Sequence, residues 1–142
     1  MKKYTNEEIE KILKDLGLRV TDHRVLIFKT LSKSRNGMSV EEIFQKVDKR
    51  GNIDQATVYR NLSSLVKVGL IRKTDFNLGK SFYELEQGIV VCRFVCSVCH
   101  QIEKTDNKQV VDSLKKIYKN SKKFKNTTLS SVEFYGVCKK CV

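Results

Sequence analysis

Two CxxC pairs, Cys96/Cys99 and Cys138/Cys141, take up four of the chain's five cysteines and stand 38 residues apart. A CxxC turn presents two thiolates from one short loop, and tetrahedral zinc takes four soft or borderline ligands at about 2.3 Å. Two such loops fill the coordination shell and leave no open position. The spacing therefore points to one structural zinc per chain rather than a catalytic one. Spacing alone also admits a pair of disulfides, a rubredoxin-like iron site or a redox-active dithiol. The N-terminus has no apolar segment of signal-peptide length and no later stretch could span a membrane. The expectation is a cytoplasmic protein with no membrane partner, where thiols bind metal more readily than they form disulfides. Cys92 is left over, either as a small buried apolar residue or as a second-site ligand or redox-sensitive thiol.

The chain of 142 residues carries 28 Lys+Arg against 16 Asp+Glu, a formal charge of +12. Residues 1–85 hold 17 basic and 11 acidic groups, and residues 86–142 hold 11 and 5, so each part is +6. A zinc bound by four thiolates leaves about +10 overall. Such an excess suits a polyanion, most simply nucleic acid. A unit of about 60 residues is marginal without a staple, and the zinc is one.

The elements before the cysteines read as short capped helices. Thr5 with Glu8 forms a capping box ahead of Ile9, Ile12, Leu13 and Leu16, and Gly17 stops that helix. Thr21 caps a second helix with Val25, Ile27, Phe28 and Leu31. Ser39 with Glu42 caps a third, which carries Ile43, Phe44 and Val47. Asp54 opens a fourth that runs toward Gly69. On it, Val58, Leu62, Leu65 and Val66 share one face. Ala56, Thr57, Arg60, Ser63 and Ser64 lie opposite, with Tyr59 at the flank. Small, hydroxylic and cationic residues are what a recognition helix needs to approach the major groove, although a solvated helix face has the same composition.

Leu70 to Thr74 and Ser81 to Leu85 then read as two strands joined by the turn DFNLGK, the wing of a winged helix-turn-helix, with Arg72, Lys73 and Lys80 for phosphates. From Glu86 the composition changes, and QGIVV reads as a connector. Arg93 to Cys96 reads as a strand, 107 to 120 as a helix with Val110, Val111, Leu114 and Ile117 inward, and Thr127 to Tyr135 as another strand. The basic run Lys115, Lys116, Lys119, Lys122, Lys123 and Lys125 fits a solvated helix end. The fold class is α+β: a winged helix-turn-helix domain over residues 1–85 and a small α/β dimerisation domain over 86–142, its exposed strand edges favouring a dimer.

LGLRVTDHRVLIFKTL, SVEEIF, ATVYRNL, VGLI, KSFYELEQ and CSVC…FYGVCKKC together resemble the ferric uptake regulator family of bacterial metal- and peroxide-responsive repressors, over nearly the whole chain. The resemblance implies a homodimer that binds A/T-rich inverted repeats in double-stranded DNA. It implies that Tyr59 and Arg60 meet the major groove, and that Arg19 stands for a basic residue that enters the minor groove. Cys96, Cys99, Cys138 and Cys141 match the family's structural zinc ligands. The family's histidine-rich stretch before the first CxxC reads here Ile89, Val90, Val91, Cys92 and Arg93. Ser130 and the segment Asn36, Gly37 and Met38 stand where further ligand histidines are common. Glu84 alone remains as a matched potential ligand. His23 and His100 do not repair the loss.

The expectation is a transcription regulator, a repressor, that keeps zinc as a staple and lacks the usual regulatory metal, with Glu84 and Cys92 as the residues a regulatory role could still use. Rival readings are a zinc-stapled RNA-binding or architectural protein, and a thiol–disulfide redox enzyme. No nucleophile and base pair and no nucleotide-binding glycine loop supports the enzyme.

Overall fold

The computed structural model describes residues 3–51, 53–76, 79–86, 91–105, 108–120, 122–123 and 131–142. The chain divides into two compact units, Met1–Glu86 and Gln87–Val142. The division falls one residue past the composition change because Glu86 closes the hairpin before it. Its N–H donates to the Leu70 carbonyl, and its carboxylate pairs with Arg72.

In the first unit, α1 (Asn6–Asp15), α2 (Asp22–Ser32), α3 (Val40–Gly51) and α4 (Gln55–Lys67) each start at a residue whose side-chain oxygen replaces the missing helical acceptor. Thr5 and Ser39 form reciprocal capping boxes with Glu8 and Glu42. Asp54 caps α4 by accepting from the Thr57 N–H at 2.6 Å. α1 and α4 end alike. Gly17 and Gly69 take left-handed φ of 70° and 73°, and Leu18 and Leu70 donate back to the Leu13 and Leu65 carbonyls. Residues with a Cβ resist this conformation, so the glycines fix where each helix stops.

The core gathers one face of each helix: Ile9 and Leu13 of α1, Ile27 and Phe28 of α2, Ile43 and Val47 of α3, and Leu62 and Leu65 of α4, all at most 1% exposed. α4 buries Val58, Leu62 and Leu65 at helical spacing, which forces its other face outward. The hairpin of β2 (Ile71–Asp75) and β3 (Ser81–Leu85) follows, antiparallel from Ile71↔Leu85 to Asp75↔Ser81. A further strand, β1 (Met38–Ser39), pairs with β3, giving the order β1-β3-β2. Two residues are too few to carry an alternating pattern, and Ser39 serves both this ladder and the α3 cap, so the sequence reads only the cap.

The second unit has the sheet order β5-β4-β6, from β4 (Val91–Cys96), β5 (Ile102–Thr105) and β6 (Ser131–Gly136), with α5 (Lys108–Lys119) between β5 and β6. β5 escapes the sequence reading because IEKT is short and charged. β6 is described from Ser131 on, so Thr127 to Ser130 of the expected strand lie outside the described residues, as do Lys125, Ile89, Val90 and most of the QGIVV connector. β4 and β5 are antiparallel. β4 and β6 are parallel from Val91↔Ser131 to Cys96↔Gly136, the crossover passing through α5. No helix among the described residues is long and apolar enough to cross a membrane.

Candidate functional site

The parallel register places Cys96 at the end of β4 beside Gly136 at the end of β6, so the CxxC turns that follow both strands meet at one end of the sheet. Ser97 N–H donates to the Gly136 carbonyl at 2.8 Å. His100 and Cys141 close their turns on the Cys96 and Cys138 carbonyls. The four Sγ atoms of Cys96, Cys99, Cys138 and Cys141 all lie within 4.8 Å of one another. Cys99 to Cys138 and Cys138 to Cys141 are each 3.6 Å. A tetrahedral ion with ligands at about 2.3 Å sets its sulfurs about 3.8 Å apart, so the cluster could hold a metal ion with little movement.

The thiols already differ in acidity. Backbone N–H groups of Cys99, Cys138 and Val98 aim at the Cys96 sulfur and lower its pKa to about 6. The Cys99 and Cys138 donors lie at 3.5 and 3.4 Å. Cys141 is pushed up to about 12 by its contacts with the Cys138 sulfur first and the Cys99 sulfur second. Four thiols this close cannot all ionise unaided; a divalent cation at their centre supplies the missing charge.

Cys92 is fully buried on β4 between Thr105 and Val132 and stands outside the four-cysteine group. Arg93, in the altered stretch before the first CxxC, is buried and ion-paired to Glu133 across the β4/β6 register. Glu133 escaped the sequence reading, since nothing local in VEFYG announces a partner 40 residues away. Glu84 is half-buried on β3, opposite Arg72. Ser130 lies outside the described residues. Among the described residues, the four cysteines are the group that could hold a metal ion.

The exposed face of α4 carries the remaining candidates. Tyr59 is 45% exposed, Arg60 and Ser63 are exposed, and Thr57 and Ser64 are half-buried. Their side chains are partly committed. Arg60 Nη2 donates to Thr57 Oγ1 at 2.8 Å, the Ser64 hydroxyl donates to the Arg60 carbonyl, and Asn61 donates to the Thr57 carbonyl. Arg19 is exposed in the loop between α1 and α2, and its carbonyl accepts from Arg24 Nη1. On the hairpin, Lys73 and Lys80 are exposed, whereas Arg72 makes a two-pronged pair with Glu86 at 2.7 and 2.8 Å. Arg72 is thereby largely withdrawn from the role of phosphate contact. Glu86 sits 14 residues on, and only the closed hairpin brings it back.

Residues 15–135 match the ferric uptake regulator family. The ferric uptake regulation protein of Legionella pneumophila is 31% identical over 131 residues, spanning 91% of this chain and 95% of that relative. The peroxide-responsive repressor PerR of Staphylococcus epidermidis is 27% identical over 136 residues, 95% of this chain and 89% of that one. The fold is also similar to the Vibrio cholerae ferric uptake regulator, a structure described as revealing a rearrangement of its DNA-binding domains. That match has a TM-score of 0.74 at 28% identity, covering 91% of this chain and 98% of the other.

Proposed function

The chain belongs to the ferric uptake regulator family, and on that premise we propose that it is a sequence-specific regulator of transcription, a repressor that binds A/T-rich inverted repeats in double-stranded DNA as a homodimer in the cytoplasm. Residues 1–85 form its DNA-binding winged helix and residues 86–142 its dimerisation domain. It is a binding protein rather than an enzyme.

The observation that carries this reading is the outer face of α4, where Tyr59, Arg60 and Ser63 stand exposed immediately before a hairpin with exposed Lys73 and Lys80. The lysines supply salt-dependent attraction to phosphates, and Arg60 and Tyr59 supply discrimination at base edges. Arg19, Ser63 and Ser64 complete the surface, and Thr57 stands behind Arg60, accepting from its guanidinium. The exposed aromatics Phe94, Phe134 and Tyr135 and the edges of β5 and β6, which no described strand covers, support the dimer, because a lone unit of this size leaves them in water.

Cys96, Cys99, Cys138 and Cys141 hold one structural zinc per chain, which when bound cross-links the ends of β4 and β6 and balances the thiolates. The stretch that carries sensory histidines in the family here contributes Val91, the buried Cys92 and the Arg93–Glu133 ion pair, so DNA binding needs no ferrous or manganous ion. Glu84 and Cys92 are the residues through which another signal would act. The burial of Cys92 favours packing over peroxide sensing.

The test is selection of duplexes from a randomised library by zinc-loaded protein, followed by titration of the winner against a scrambled duplex, its single strands and an RNA duplex. Enrichment of an inverted repeat supports the reading. Equal affinity for all four overturns it in favour of a non-specific architectural or RNA-binding role.

A further inference from the structure

Asp54, Thr57 and Arg60 recur every three residues along the start of α4, so their side chains form a stripe on its exposed surface. Three hydrogen bonds join them in a fixed direction. The Thr57 N–H donates to Asp54 Oδ1 at 2.6 Å, the Thr57 hydroxyl donates to Asp54 Oδ2 at 3.0 Å, and Arg60 Nη2 donates to Thr57 Oγ1 at 2.8 Å. The direction follows from the chemistry. A hydroxyl has one proton and two lone pairs, and an ionised carboxylate can only accept. Asp54 therefore takes the Thr57 proton, and the lone pairs are left facing the guanidinium. The carboxylate stays ionised, since the backbone bond from Thr57 lowers its pKa.

Resting on the DNA-binding reading above, we infer that Thr57 and Asp54 are positioning residues for Arg60, holding its guanidinium in one orientation so that its remaining donors address paired acceptors on a base edge, such as O6 and N7 of guanine. Arginine has five N–H donors in a planar fork and spends one on Thr57, so a two-pronged base contact remains available. An unsupported arginine at an exposed helix position samples many rotamers and loses that freedom on binding. A supported one enters the groove pre-organised. Sequence discrimination is the property that gains, because a mobile arginine satisfies phosphates and wrong bases equally well. Thr57, which the residue pattern alone reads as a DNA contact, thus acts through its neighbour.

The first readout needs no DNA. In full-length zinc-loaded protein, the ¹⁵Nε order parameter of Arg60 should exceed that of the exposed Arg19. It should fall to the Arg19 level in Thr57→Val, return in Thr57→Ser, and fall in Asp54→Ser, which keeps one capping oxygen but loses the second oxygen that takes the Thr57 hydroxyl. The second readout is preference for the library-selected duplex over its scrambled form. Thr57→Val should lose about fivefold in preference, the factor a net hydrogen bond corresponds to, with scrambled-duplex affinity unchanged. In an Arg60→Ala background the same substitution should cost nothing further.

Wild-type order at Arg60 in both Thr57→Val and Asp54→Ser overturns the inference. So does a Thr57→Val loss that persists in the Arg60→Ala background, which would make Thr57 a direct contact. Wild-type protein that selects no duplex overturns the DNA-binding reading itself, and this inference with it. Selection that survives Thr57→Val undiminished overturns the inference alone.

Discussion

Arg93 donates from Nη1 to Glu133 Oε1 at 3.4 Å, with 1% of the arginine side chain exposed and a quarter of the glutamate. The pair ties neighbouring positions of β4 and β6 in the second unit. Removing Glu133 takes a carboxylate from a guanidinium that is 1% exposed. Glu133→Ala should therefore lower the unfolding free energy by about 3 kcal/mol, the low end for a buried pair because water still reaches the glutamate. Replacing both residues, as Arg93→Met with Glu133→Leu, should cost about 1 kcal/mol or less. Urea titration of the zinc-loaded protein measures both, and an Glu133→Ala protein as stable as wild type would show that the pair is not a structural tie.

His100 is the non-glycine residue with positive φ among those described, at 61°. A side chain there costs about 1–2 kcal/mol of strain, while glycine raises the unfolded-state entropy by an equivalent of about 0.5–1 kcal/mol. His100→Gly should then stabilise the zinc-loaded protein by about 0.5 kcal/mol. A loss of stability in thermal melts would instead give the imidazole a role in holding the turn.

Zinc affinity should rise with pH. Metal binding needs thiolates, and Cys96, lowered to about 6 by backbone N–H groups, is charged already at neutral pH. Cys141, raised to about 12 by the neighbouring Cys138 and Cys99 sulfurs, loses its proton to solvent only as the metal binds. Zinc uptake by stripped protein should release protons, and zinc affinity should fall as the pH is lowered. A colorimetric chelator followed from pH 8 to pH 5 tests this; zinc retention unchanged across that range would contradict it.

Arg60→Ala should reduce preference for the selected duplex by about tenfold, within the 1–3 kcal/mol worth of a good base contact. Lys80→Ala should weaken binding to all duplexes alike and lower the salt slope by about one. Anisotropy titrations at several salt concentrations separate the two, and the same uniform loss from both variants would remove the division of labour.

Where an element is set by neighbours in the chain, the residues announced it. Thr5 with Glu8, Ser39 with Glu42 and Asp54 mark helix starts, and Gly17 and Gly69 mark stops, because caps act over three or four residues. The paired CxxC spacing announced the cysteine cluster for the same reason. What depends on distant partners was hidden. The role of Arg93 depends on β6, which supplies Glu133, and Arg72 reads as a phosphate contact until the hairpin returns Glu86. The stripe of Asp54, Thr57 and Arg60 was visible as spacing, but the direction of its hydrogen bonds depends on rotamers that no pattern encodes.

If metal is scaffold rather than signal, as proposed, zinc-loaded protein should bind its selected inverted-repeat duplex with the same dissociation constant, within about twofold, with and without added manganous or ferrous ion, a difference well under 1 kcal/mol. A rise in affinity of tenfold or more on adding either ion would contradict it.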